Sequence, residues 1–196
     1  MSFVRLALAA GVLGLCGSPA IAQPFTDAPS SAPRAPAVTP APEVMAALPL
    51  ARLIGSGRLR VWGFDVYDAA LWAPPGLSAR DLTSQPFALE LTYLRDFKAT
   101  AIAASSVEEI RRQTAVSDQQ EAAWTAELLR ALPDIRKGDR VIGIHQPGAP
   151  ATLWVNGRRG GELRDPGFIT LFFGIWLSPA TSQPKMRAAL LAGAAR

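Results

Sequence analysis

The sequence predicts an α+β domain that is built on an antiparallel sheet. Strand-like segments occur as neighbours along the chain, and turn signals at Gly63 and at Asn156-Gly157 separate two pairs of them. Helix-like segments occur in two blocks, one in the middle of the chain and one at its end. Strands that are joined by hairpins run antiparallel, and helices that are grouped in this way form a separate layer.

The first two strands are predicted from segments that are rich in β-branched and aromatic residues. Residues 50–62 and 64–72 meet at Gly63, which predicts a hairpin or a bent strand pair. Gly55 and Gly57 do not have the spacing of a dinucleotide-binding loop, and they precede a strand rather than a helix. We therefore expect a bulge or a close backbone contact at these glycines.

The third strand is predicted at residues 87–94, where the hydrophobic pattern alternates with period two. One face carries Leu89, Leu91 and Tyr93, and the other carries Glu90 and Thr92. This pattern indicates a half-buried strand.

Two helices are predicted between residues 98 and 131, where proline is absent and apolar residues recur at helical spacing. Ser117 is the expected N-cap of the second helix, because Gln120 follows it three residues later. Later strands are expected at 139–144, 151–155 and 158–163, with a type I′ turn at Asn156-Gly157. Helices at 166–177 and 184–192 close the chain, each with a proline in its first turn.

Residues 1–22 carry the pattern of a cleavable signal peptide. Arg5 precedes a run of apolar residues, and Ala20 and Ala22 fit the positions that a signal peptidase reads. About ten apolar residues are too few for a membrane span, which needs about twenty. We therefore expect cleavage after Ala22 and a soluble, periplasmic protein with no stable transmembrane segment. An uncleaved anchor and a lipid attached at Cys16 are the alternatives.

Composition limits the chemistry of the remaining chain. Residues 23–42 are rich in proline, alanine and serine, which predicts a disordered tether ahead of a domain at 43–196. Cys16 is the only cysteine, so cleavage leaves no disulfide and no thiolate. His145 is the only histidine, which excludes a two-histidine metal site, and we expect it to be structural. The formal charge of +4 is spread along the chain and does not indicate nucleic-acid binding.

Arginines and tyrosines on the predicted sheet are the candidate ligand contacts. Arg58 and Arg60 share one face of the first strand with Trp62 if that strand is regular, while Tyr67, Tyr93 and Arg95 lie in the next strands. A guanidinium pairs with a carboxylate through two hydrogen bonds, and a phenol can donate another. The alternative is that the arginines are simply exposed and the tyrosines pack in the core. Four further charged residues on the first helix indicate a solvated, charge-paired face, namely Glu108, Glu109, Arg111 and Arg112.

Several segments together resemble the bacterial, exported branch of the chalcone isomerase-like family. The resemblance covers residues 45–192, and no catalytic residue is assigned from it. It rests on the order and spacing of GSGRLR at 55–60, GFDVYDAALW at 63–72, LTYLRD at 91–96, LPDIRKGD at 132–139, the 153–157 hairpin and the helix at 168–177.

The resemblance implies an open-faced β-sandwich, in which a large antiparallel sheet and a helical layer enclose a cleft. Enzymes of the family cyclise chalcones without a cofactor, while plastid relatives bind fatty acids. The family's glycine-flanked arginine corresponds to Arg58 or Arg60, and Thr170 is expected close to the cleft. The enzymes' tyrosine and asparagine fall near Thr100 and Val107, so two polar groups of the enzymes are replaced here.

Three functions remain open at this point. The first is a non-catalytic carrier or sensor that binds a small amphipathic ligand, a fatty acid or a phenolic compound, in an apolar cleft with Arg58 or Arg60 at its mouth. The second is a cofactor-free intramolecular lyase or isomerase that acts on an α,β-unsaturated ketone. The third is a scaffold that binds another envelope protein through an apolar patch.

Overall fold

The computed structural model of the protein describes residues 39–195. The predicted signal peptide and most of the predicted tether lie outside the described residues. The elements are α1 (Pro42–Ala47), β1 (Arg52–Val61), β2 (Phe64–Ala73), β3 (Phe87–Tyr93), α2 (Ala99–Arg111), α3 (Asp118–Ala131), β4 (Arg140–His145), β5 (Ala151–Val155), β6 (Arg158–Leu163), α4 (Pro166–Leu177) and α5 (Pro184–Leu190).

Six strands form one sheet in the order β1-β2-β3-β4-β5-β6, and each strand pairs antiparallel with the next. The predicted α+β class with an antiparallel sheet is confirmed. Two-residue turns join β1 to β2 at Trp62-Gly63 and β5 to β6 at Asn156-Gly157, and all four residues have a positive φ. This backbone matches the right-handed twist of the strands that flank it.

The helices begin where their sequence caps predict. Ser117 caps α3 and forms a capping box with Gln120. Asp165 caps α4 by accepting hydrogen bonds from the backbone N–H groups of Gly167 and Phe168. Pro184 stands in the first turn of α5, which ends two residues before the predicted boundary.

One face of the sheet packs against the layer formed by α2, α3, α4 and α5. Leu89, Leu91 and Tyr93 are buried on this face, as the alternating pattern predicted. The ring of Phe87 meets the ring of Phe173 edge-on with centroids 4.9 Å apart, which joins β3 to α4. Aromatic pairs of this geometry add about 0.5–1.5 kcal/mol to the burial of the rings themselves.

The opposite face of the sheet is partly covered by α1, which the sequence did not predict. Val44 and Leu48 are buried against Trp72 of β2 and Ile142 of β4. Ala41 is also buried, and Pro42 is the first helical residue. The last two residues of the predicted tether therefore belong to the fold.

A close backbone contact explains the glycines of β1. A Cβ added at Gly55 would lie 2.1 Å from the carbonyl oxygen of Ala189 in α5, and the strand register shifts between Leu53 and Gly55. The N–H group of Gly193 donates a hydrogen bond to the carbonyl of Ile54. The predicted bulge or close contact is therefore present, and it fixes α5 against the edge strand.

Candidate functional site

The structure distributes the six predicted ligand contacts among several parts of the fold rather than bringing them together. Tyr67 and Tyr93 lie between the sheet and the helical layer, Arg95 lies just past the end of β3, Arg58 and Arg60 lie on the opposite face of the sheet, and Thr170 is exposed on α4.

The two tyrosines form a buried pair on the helical side of the sheet. Tyr67 of β2 and Tyr93 of β3 are cross-strand partners, and their ring centroids are 5.8 Å apart in an edge-on arrangement. The indole N–H of Trp176 on α4 donates a hydrogen bond of 2.9 Å to the hydroxyl of Tyr67. Burial raises the pKa of both phenols above that of an exposed tyrosine, so both remain neutral at physiological pH.

Glu109 of α2 contributes a buried carboxylate to the same interior. Its exposed fraction is 2%, which corrects the prediction that it belongs to a solvated face, whereas Glu108 is exposed as predicted. Arg112 Nε lies 3.3 Å from Glu109 Oε1, but this oxygen accepts no hydrogen bond from the described residues. The pair is thus close enough for electrostatic attraction without being aligned for a bond. Besides desolvation, the charge of Glu109 contributes to the raised pKa of Tyr67.

Arg95 lies two residues after Tyr93 and carries a hydrogen-bond donor that has no acceptor among residues 39–195. Its guanidinium carbon lies 4.9 Å from the ring centroid of Phe64, in a cation–π arrangement. Its Nη1 atom is shielded from solvent and donates to none of the described residues. An unmade hydrogen bond of this kind costs about 1–3 kcal/mol, and somewhat more for a charged group. Among the three arginines predicted as ligand contacts, Arg95 is therefore the one with a shielded donor that an anion could satisfy.

Arg58 is held by two carboxylates on the other face of the sheet. Its Nε and Nη2 atoms donate to Asp68 at 2.6 and 2.8 Å, and its Nη1 donates to Asp65 at 2.9 Å. The hydrogen bond to Asp68 is the main reason that the pKa of Arg58 is raised. Arg60, which is more exposed, donates to Asp65 at 2.5 Å, and this bond is the largest of those that lower the pKa of Asp65.

The register of β1 and β2 separates these arginines from the tyrosines. Arg58 pairs with Asp68, whereas the next residue, Leu59, pairs with Tyr67, so the two pairs point to opposite faces. Arg58 and Arg60 do share one face, but Trp62 lies in the turn rather than in the strand. The expectation that the arginines and the tyrosines line one site is corrected. Asp65 and Asp68 were visible in the sequence as possible partners, and hairpin register is the signal that could have revealed the pairing.

The side chain of Thr170 is occupied within its own helix. Its hydroxyl donates a hydrogen bond of 3.0 Å to the carbonyl of Pro166, and the residue is exposed. Trp176 is the residue of α4 that reaches the sheet, and sequence reasoning did not select it. A tryptophan in an otherwise apolar helix was the available signal, because a buried indole N–H needs an acceptor.

Thr100 and Val107 stand near the positions where the chalcone-cyclising enzymes carry a tyrosine and an asparagine, and neither residue places a polar group in the interior. Thr100 is exposed in the first turn of α2, and Val107 is a buried apolar residue. His145 is buried: its Nε2 lies 2.9 Å from the carbonyl oxygen of Thr83, its ring packs against Phe87, and its Nδ1 has no hydrogen-bond partner among the described residues.

Two surface grooves lie beside β6, away from the tyrosine pair. The first is bordered by Glu127, Arg130 and Arg164, whose neighbours include the ion-paired Glu162. Residues 39–195 contain no cluster of three or more histidine, cysteine, aspartate or glutamate residues that could hold a metal ion. Within the same range, none of the helices has the length and apolar character that crossing a bilayer requires.

Comparison with known proteins agrees with this architecture. A solved structure of a fatty-acid binding protein from Arabidopsis thaliana is similar, with a TM-score of 0.57 and 14% sequence identity over 72% of this chain and 87% of that chain. At this identity the likeness shows the fold alone. No curated protein matches the chain. A family model described as chalcone isomerase-like matches residues 47–192, and the chain therefore belongs to the chalcone isomerase-like family.

Proposed function

We propose that this is an exported, non-catalytic protein that binds a small amphipathic acid of the fatty-acid class. The acyl chain lies between the sheet and the helical layer, and the carboxylate lies against Arg95. A phenolic acid has the same head-group chemistry and is the second ligand class to be compared.

The observation that carries the proposal is the shielded Nη1 of Arg95, which has no acceptor among the described residues. A carboxylate oxygen would accept this hydrogen bond and would neutralise the guanidinium at the same time. Arg58 offers no such opportunity, because Asp65 and Asp68 already accept its hydrogen bonds, and Arg60 is exposed to solvent on the opposite face of the sheet, where Asp65 pairs with it.

The interior next to Arg95 suits an apolar chain that ends in a polar group. Tyr93 and Phe97, which lie two positions before and after Arg95, are buried among apolar residues, and their rings are 5.5 Å apart. Because burial keeps Tyr93 neutral, its hydroxyl group can donate a hydrogen bond to an anion without repelling it.

Two further considerations favour binding over catalysis. The similar Arabidopsis structure is that of a fatty-acid binding protein, so this architecture is able to hold such a ligand. The enzymes that this family is known for cyclise chalcones with the help of a tyrosine and an asparagine, and exposed Thr100 and apolar Val107 stand near those positions here. Export is supported by the leader pattern of residues 1–22, which predicts a chain that begins at Gln23.

Titration with a long-chain fatty acid tests the proposed contact. Replacing Arg95 with methionine keeps most of the apolar stem but removes the charge, so we expect affinity to fall by about 1.5–3 kcal/mol, which corresponds to about 10- to 150-fold. Calorimetry of wild type and Arg95→Met gives this difference directly. Arg60→Met is the matched control, because it removes an arginine near the same end of the sheet, on the opposite face, and its affinity should equal that of wild type.

Equal affinities in all three proteins would remove Arg95 from the site. Loss of chalcone absorbance in the presence of the protein would instead indicate the isomerase alternative. Absence of binding to either ligand class would favour the scaffold function.

A further inference from the structure

The turn between β1 and β2 has a sequence that its backbone does not favour. Trp62 occupies the first turn position with φ of 49°, and Gly63 occupies the second with φ of 82°. Glycine, asparagine and aspartate adopt this left-handed conformation readily, whereas a bulky aromatic residue rarely does. The β5–β6 turn of the same protein has nearly the same φ values and carries the favoured pair, Asn156-Gly157.

The side chain of Trp62 gains no burial in return for this strain. Its exposed fraction is 61%, and that of Phe64, which immediately follows the turn, is 55%. Two large aromatic side chains therefore project from the tip of one hairpin. Backbone strain that stability does not explain is a feature of functional sites.

The same end of the sheet carries exposed positive charge. Because neighbouring strands run antiparallel, the β1–β2 turn, the start of β4 and the β5–β6 turn all lie at this end. Lys137, just before β4, and Arg158, just after the second turn, are exposed and form no ion pair with any residue in the described range 39–195. Two acids lie nearby and keep their negative charge: Asp96 accepts a hydrogen bond from the backbone of Lys137, and Asp139 accepts one from Asn156, but neither forms an ion pair with Lys137 or Arg158.

We propose that this hairpin tip docks on an anionic lipid bilayer, with Trp62 and Phe64 inserted at the head-group level. Indole rings favour the boundary between head groups and acyl chains, and basic side chains are attracted to anionic lipids. The exposed parts of the two rings amount to about 250 Å². A stable protein interface needs about 800 Å² per partner, so the tip alone is too small for one. An aromatic tip at the same end of the sheet as exposed cations matches an anionic bilayer surface better than it matches a protein partner.

Vesicle flotation of the chain that begins at Gln23 tests the proposal, and Trp62→Asn is the decisive variant. Asparagine gives this turn the same residue pair as the β5–β6 turn, so the variant keeps its fold. We expect wild type to float with vesicles of phosphatidylglycerol and phosphatidylethanolamine, and Trp62→Asn to bind about tenfold more weakly. Leu50→Asn is the control. Leu50 has an exposed fraction of 74% and lies just before β1, at the end of the sheet opposite to the hairpin tip, so its replacement should leave binding unchanged.

Two further readouts separate lipid docking from contact with another protein. Lys137→Gln combined with Arg158→Gln should weaken binding to the same vesicles by about fivefold or more, and pure phosphatidylcholine vesicles should bind weakly. Tryptophan emission should shift to shorter wavelength on vesicles in wild type but not in Trp62→Asn. The chain used in these comparisons begins at Gln23, because the apolar leader of residues 1–22 would itself insert into vesicles and mask the contribution of the tip.

Equal flotation of wild type and Trp62→Asn would overturn the proposal. Concentration-dependent self-association that Trp62→Asn abolishes, without vesicle binding by wild type, would also overturn it and would assign the tip to a protein interface.

Discussion

At the scale of single residues, two charges influence the interior between the sheet and the helices. Arg95 presents an unsatisfied donor, and Glu109 presents a buried carboxylate oxygen that accepts no hydrogen bond from the described residues. The negative charge of Glu109 is near enough to Tyr67 to contribute to its raised pKa. A carboxylate ligand in this space would be attracted by the arginine and repelled by the glutamate.

Replacing Glu109 with glutamine tests whether the ligand is an anion. Glutamine keeps the size of the side chain and removes its charge. A fatty acid should therefore bind about fivefold more tightly, which corresponds to about 1 kcal/mol of binding free energy. The methyl ester of the same acid is the control, because a neutral ligand should bind both proteins equally. If the acid and its ester respond alike in a calorimetric titration, the head group does not lie near Glu109.

The site residues were only partly predictable from sequence. The types of residue, arginine and tyrosine on neighbouring strands, were predicted, and Tyr67, Tyr93 and Arg95 lie on or beside the helical face of the sheet. Arg58 was placed in the site because its carboxylate partners depend on the register of the β1–β2 hairpin. That register shifts between Leu59 and Arg60, and the Trp62-Gly63 turn does not have a sequence that indicates it. Trp176 was missed because its contact with Tyr67 spans 109 positions of the chain.

At the scale of elements, α1 shows what local patterns leave out. A helix of six residues has too few turns to show periodicity, and it is stable only because Val44 and Leu48 pack on the sheet. Arg140 of β4 also forms an ion pair with Glu43 in this helix. The long elements were predictable because their signals are local: the capping box at Ser117, the Asn156-Gly157 turn and the proline that opens α4.

Leu48 and Leu50 provide a matched test of the packing of α1. Leu48 is 4% exposed and Leu50 is 74% exposed, although they are two positions apart. Leu48→Ala should therefore destabilise the protein by about 2–5 kcal/mol, whereas Leu50→Ala should change stability by less than about 0.5 kcal/mol. Urea unfolding of the two variants gives both values. If Leu48→Ala also changes stability by less than about 0.5 kcal/mol, the packing of Leu48 on the sheet is contradicted.

At the scale of the whole molecule, the fold places the ion-paired Arg58 and the proposed ligand site on opposite faces of the sheet. The face beside α1 carries the Arg58–Asp68 pair, and the helical face holds the tyrosines and the aromatic core. The close contact between Gly55 and Ala189 fixes α5 against β1, and the hydrogen bond from Trp176 to Tyr67 fixes α4 against β2. These two contacts fix the helical layer to the sheet. We propose that the ligand lies between the two layers, with its head group at the end of β3 next to Arg95.

Native mass spectrometry of the protein purified from its own host tests the proposed ligand binding most directly. We predict the mass of a chain that begins at Gln23 plus one small organic acid, with the added mass lost in Arg95→Met and retained in Arg60→Met. A wild-type protein that carries no added mass, or an added mass that persists in Arg95→Met, would contradict the proposal.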